Sequence, residues 1–149
     1  MQYFEDIEIG GPRQYPTGYT LTVENITGFC REWDPLPFHL DEEVARNTPM
    51  GRLFTSAAHL VCIALKLGHS AQDAPTAVIA GLGWDEVRFH RPGFAGDTLY
   101  LRGSVLDKRV SVSRPERGIV TNLMELVNQD GERVASYQVS TLVARRPES

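Results

Sequence analysis

The chain has 149 residues, a length that suits one domain with its own core, and it is read here as a single domain over 1–149. With 42% hydrophobic and 23% charged residues its composition is ordinary for a globular protein. A formal charge of -4 gives no general electrostatic reason to bind nucleic acid or an anionic membrane, and no apolar run approaches the roughly 20 residues that span a bilayer. A local basic patch for a phosphorylated small molecule is not excluded. Met1-Gln2-Tyr3-Phe4-Glu5-Asp6 has neither the basic nor the apolar region of a secretory signal, which makes the cytoplasm the default location.

Residues 1–16 read as turn-rich, with Gly10-Gly11-Pro12 and Pro16, and 17–22 as a short strand. Thr22 is placed to cap a helix with Glu24 in its first turn, and Val23, Ile26, Phe29, Cys30 and Trp33 follow at helical spacing. Pro35 ends that helix at Asp34. A short helix over 40–47 begins with Asp41-Glu42-Glu43, where the helix dipole favours negative charge, and Thr48-Pro49-Met50-Gly51 breaks it. Ser56 can cap a helix over 57–67 that is apolar on nearly every side, which predicts burial on most sides, with a curved sheet wrapped round it. Strands are expected over 77–81, 84–91, 98–109, 119–129 and 133–145, with an Asp130-Gly131 hairpin turn between the last two. The architecture is α+β: helices first, then an antiparallel meander. Trp33 and Trp84 read as core, and Cys30 and Cys62 as buried free thiols.

The most informative stretch is Trp33-Asp34-Pro35-Leu36-Pro37-Phe38-His39. It sets a carboxylate and an imidazole five residues apart, bracketing two prolines. The prolines exclude a helix across 34–39 and stiffen the connection, so Asp34 and His39 can be held at a fixed separation. That is what acid/base chemistry on one bound water requires. Taken alone, Asp34 is equally a helix-end or turn residue. His59 reads as a core or site histidine, and Arg88 and Arg91 as solvated strand-edge charges or contacts for phosphates.

The segment Asp34-Pro35-Leu36-Pro37-Phe38-His39-Leu40-Asp41 resembles the active-site stretch of MaoC-like dehydratases, the hot-dog-fold group that includes (R)-specific enoyl-CoA hydratases. Gly51-Arg52-Leu53-Phe54-Thr55-Ser56-Ala57, Val87-Arg88-Phe89-His90-Arg91-Pro92 and Gly96-Asp97-Thr98-Leu99 agree in order, and the resemblance runs over most of the chain. It implies a hot-dog fold, a curved antiparallel sheet around a central helix. Two positions depart from the pattern: Leu36 stands where the hydratases usually have Asn, and Ala57 where they often have Gly.

The resemblance further implies a lyase that hydrates an enoyl thioester or dehydrates a 3-hydroxyacyl thioester, carried by CoA or an acyl carrier protein, with no metal or organic cofactor. Asp34 and His39 would work on the water, at the mouth of an apolar tunnel. The Ala57 amide and Ser56, at the start of the central helix, would meet the thioester oxygen, and Arg88 and Arg91 are possible CoA contacts. Leu36, Phe38, Met50 and Phe54 are expected to shape the acyl pocket. A homodimer or higher homo-oligomer is implied as well, its site near the subunit interface, because a lone hot-dog unit leaves a sheet edge open. Two alternatives stand beside it: an acyl-CoA thioesterase, which would need a carboxylate on the central helix, and a non-catalytic acyl-thioester-binding subunit, suggested by Leu36 and Ala57.

Overall fold

A computed structural model describes residues 1–70 and 74–148. The chain opens with a single 3₁₀ turn (Phe4–Asp6), followed by β1 (Gly10–Gln14) and the two-residue β2 (Tyr19–Thr20). Then come four helices: α1 (Val23–Trp33), α2 (Pro37–Leu40), α3 (Glu42–Arg46) and α4 (Ala57–Ser70). Four long strands complete it: β3 (Val78–Phe89), β4 (Thr98–Val110), β5 (Arg117–Val127) and β6 (Arg133–Ala144).

The sheet runs in the order β1-β4-β5-β6-β3, antiparallel throughout, with β2 also on β4. The expected meander is therefore confined to β4, β5 and β6. The two strands expected over 77–91 are one strand, kept continuous by register shifts that absorb Gly81, Gly83 and the positive φ of Glu86. It does not precede β4 in the sheet but crosses to its far end and pairs with β6, and among the described residues no strand pairs with its other edge. The turn-rich N-terminal segment holds the unforeseen β1, whose residues are all exposed and so carry no alternation to read.

α1 begins with a reciprocal cap: Asn25 N–H donates to Thr22 Oγ1 at 3.1 Å, and Thr22 N–H donates to Asn25 Oδ1 at 2.9 Å. The core lies between the helices and the concave side of the sheet. Leu60, Ile63, Ala64 and Leu67 of α4 meet Leu99 and Leu101 of β4, Leu126 of β5 and Tyr137 of β6, with Ile26 and Cys30 of α1 closing one side. α4 is not enclosed in a single chain: Ala57, Ala58, Cys62, Lys66 and His69 form an exposed face. The apolar pattern is real, but this chain covers only part of the helix, so Cys62 is exposed while Cys30 is buried. Trp33 is likewise 68% and Trp84 51% exposed, since one ends a helix at the surface and the other sits on the open edge strand.

Behind the sheet, Phe4 and Ile7 pack on Val120 and Val143. A Cβ at Gly118 would lie 2.3 Å from the Phe4 ring. Gly118→Ala is therefore expected to cost about 1–3 kcal/mol through overpacking, read as a lower melting temperature. An unchanged melt would show that Phe4 is not fixed there.

Candidate active site

Local backbone chemistry sets the pair. Asp34 ends α1 as its C-cap, its N–H bonded to Cys30 O at 2.9 Å. The next residues turn at once, with Leu36 N–H donating to Asp34 O at 2.8 Å. The bend is not free of helix, as the two prolines suggest. α2 makes one helical turn that starts on Pro37 and includes His39. Proline is tolerated at the first helical position, where its ring pre-sets φ and its missing N–H would find no partner anyway. Asp41 then caps α3, its Oδ1 accepting from Glu43 N–H at 2.8 Å and Val44 N–H at 3.0 Å.

This turn brings the two side chains together. His39 Nε2 stands 3.6 Å from Asp34 Oδ2; the His39 side chain is 5% exposed and that of Asp34 37%. His39 Nδ1 is 2.8 Å from Phe54 O. A carbonyl only accepts, so Nδ1 carries the proton and, in the neutral ring, Nε2 is left as an acceptor facing the carboxylate. The ring stands edge-on to both Phe38 at 4.7 Å and Phe54 at 4.9 Å, and those two phenyl groups stack on each other at 5.4 Å. The gap between Nε2 and Oδ2 exceeds a direct hydrogen bond and suits one donor placed against both atoms.

Phe54 leads within three residues to the start of α4. Ser56 is buried and its Oγ accepts from Ala58 N–H at 3.1 Å, while His59 N–H reaches Ser56 O at 3.1 Å. Ala57, the first helical residue, is exposed, and at that position an N–H has no intrahelical acceptor. Ser56 and Ala57 thus sit two and three residues beyond the carbonyl that holds His39. Phe38 and Phe54 flank the imidazole, whereas Leu36 and Met50 are exposed. Arg88 and Arg91 are exposed and ion-paired, Arg88 3.3 Å from Glu86 and Arg91 2.5 Å from Glu132. A pocket of about 190 Å³ is lined by Glu42, Arg46, Arg52, Leu53 and Ala95 and includes neither member of the pair. Trp33 and Leu36, on either side of Asp34 in the chain, and Ala57 are exposed.

Sequence reasoning missed one contributor and read the other, His59, as a core or site histidine. The Phe54 carbonyl is a backbone group with no side-chain signature. His59 is buried in the core, stacked on Phe29 at 4.3 Å, with Nδ1 2.6 Å from Thr55 Oγ1. Burial pushes its imidazole from the ordinary 6.5 down to about 4. The unfolded chain then binds a proton that the folded chain refuses between those values. Stability is full above about pH 6.5 and falls as pH drops toward 4, by about 3 kcal/mol. Denaturant titrations at pH 7 and 4.5 should show most of that loss, and His59→Asn should remove it. Glu5, held at about 2 chiefly by the Arg145 side chain, acts in a separate window below its ordinary 4.5. An equal slope in wild type and His59→Asn would assign the loss elsewhere.

Among the described residues no group of three or more His, Cys, Asp or Glu side chains is placed to hold a metal ion, and no helix is long and apolar enough to cross a membrane.

A curved antiparallel sheet packed on a central helix is the architecture of the hot-dog fold. Comparison with known proteins agrees. The family model for the MaoC like domain matches residues 5–128. The MaoC-like dehydratase from Rhodospirillum rubrum has the same fold, with a TM-score of 0.91 at 33% identity, over 99% of this chain and 100% of that one. Protein YdeM of Bacillus subtilis (strain 168) is 30% identical over 125 residues, 84% of this chain and 87% of YdeM. Mesaconyl-CoA hydratase of Haloarcula hispanica is 42% identical over 66 residues; these are 44% of this chain but only 18% of the hydratase. The chain belongs to the MaoC-like dehydratase family and has the hot-dog fold.

Proposed function

We propose that the protein interconverts an enoyl thioester and a 3-hydroxyacyl thioester by adding or removing water. The observation that carries this reading is the Asp34 and His39 pair, 3.6 Å apart with Nδ1 of His39 committed to a carbonyl. A water set against Oδ2 and Nε2 gives one proton to the pair as its oxygen bonds to the β-carbon. The pair returns one proton to the α-carbon, so the product gains the elements of water and the enzyme is unchanged. Negative charge that builds on the thioester oxygen is met by the Ala57 N–H at the positive end of α4. One such donor is worth about 3–4 kcal/mol in the transition state. The chemistry asks nothing of a metal or organic cofactor.

The carrier is CoA or an acyl carrier protein, and Arg88 and Arg91 enter as phosphate contacts that would have to exchange their carboxylate partners. α4 carries no Asp or Glu over Ala57–Ser70, which leaves the thioesterase reading without its carboxylate. The working unit is a homodimer. The rim around Asp34 is open in a single chain, and a second subunit would supply the missing wall. The test is a panel of enoyl-CoAs including crotonyl-CoA and mesaconyl-CoA, following loss of the conjugated thioester absorbance. Turnover of at least one, abolished in Asp34→Asn, is the expected result. Folded protein inactive on the whole panel in both directions would overturn the reading.

A further inference from the structure

His59 is not explained by packing alone. It occupies the third position of α4, where an apolar side chain would fill the same core without the cost of desolvating an imidazole. Its ring is fixed on two sides, stacked on Phe29 at 4.3 Å with planes 14° apart and edge-on to Tyr19 at 6.1 Å. That fixes Nδ1 against Thr55 Oγ1 at 2.6 Å. Thr55, 3% exposed, is also held through its backbone, N–H to Gly93 O at 2.9 Å, with Cys30 Sγ 3.8 Å from its hydroxyl. The residue before it, Phe54, gives its carbonyl to His39. Two histidines therefore grip consecutive residues of one short strap, and the strap runs straight into the cap and first amide of α4. With its proton affinity lowered by burial, His59 stays neutral at ordinary pH, so its bond to Thr55 does not change with protonation there.

We propose that His59 is a positioning residue: through Thr55 it fixes the strap over 54–57, which carries both the carbonyl that orients His39 and the amide offered to the thioester oxygen. The proposal rests on the hydratase reading for its effect on rate, but the mechanical coupling stands apart from it. Thr55→Val removes the hydroxyl at nearly constant shape, and His59→Phe removes Nδ1 while keeping an aromatic ring. Thr55→Ser and His59→Asn keep a polar atom near the same place.

In both disrupting variants kcat on the best enoyl-CoA should fall about tenfold to a hundredfold with KM within about twofold, since a small misplacement of reacting groups is costly while binding is not. The two conservative variants should recover to within about threefold of wild type. A role in packing alone would lower the melting temperature in the disrupting variants and leave kcat in place, and that result overturns the proposal. A second readout needs no turnover. In ¹⁵N NMR, Thr55→Val should shift the Ala57 amide and the His39 ring nitrogens and speed amide exchange at Ala57. Unchanged resonances there also overturn it. Shifted resonances in a protein that hydrates no thioester would uphold the coupling and reject the hydratase reading.

Discussion

Asp34→Asn should lower kcat by about 10²–10⁴-fold, the span over which a positioned acid or base contributes, while leaving the fold intact. The carboxylate is partly exposed, and the bonds that set the local turn, Asp34 N–H to Cys30 O and Leu36 N–H to Asp34 O, belong to the backbone and survive the substitution. The melting temperature should therefore stay close to that of wild type. His39→Ala should lose as much activity but also cost stability, about 1–3 kcal/mol, because it strips a buried ring from against Phe38 and Phe54 and leaves the Phe54 carbonyl without its donor. Two groups that act on one water form a unit, so the double variant should be little worse than either single one. Turnover of Asp34→Asn within threefold of wild type, or losses that multiply in the double variant, would show that the pair is not the machinery.

The same residues show what a sequence makes legible and what it hides. Asp34, His39, Ser56 and the α1 cap could be named because each is a side chain whose chemistry or spacing carries a meaning by itself. The carboxylate and imidazole stand 3.6 Å apart, and the bend brings them there with a helical turn on Pro37 rather than with an extended linker. What the sequence hid is either backbone or collective. The Phe54 carbonyl has no letter of its own. β1 is exposed on every residue, so no alternation marks it. Cys62, Trp33 and Trp84 have the hydrophobicity of core residues, and nothing local says that α4 and β3 meet an incomplete wall in one chain. The pairing of β3 with β6 is equally non-local, since loop length argues for neighbours in sequence and the fold closes its sheet the other way.

That incomplete wall leads to the second large effect. β3 is a 12-residue edge strand with an unpaired side, and it exposes Val78, Ile79, Leu82, Trp84 and Phe89 at 46–52%. A long, apolar open edge is what soluble proteins avoid unless another strand occupies it. A second copy of the same strand, run antiparallel about a two-fold axis, fits the edge by symmetry. The wild-type chain is therefore expected to sediment as a dimer. Ile79→Lys with Leu82→Lys places charge on that edge, and each change counts twice across the axis. At roughly 1.5 kcal/mol or more for each apolar side chain left exposed, the dimer should weaken at least a thousandfold and run as a monomer at micromolar concentration. Far-UV circular dichroism should be preserved, because neither side chain belongs to the buried core. Turnover should fall with the dimer if, as proposed, a partner covers the exposed Asp34 and start of α4 and keeps bulk water from the reacting oxygen. A wild-type monomer with full turnover would place the entire site within one chain and remove the need for a partner. A monomeric variant that keeps its activity would separate the interface from the chemistry.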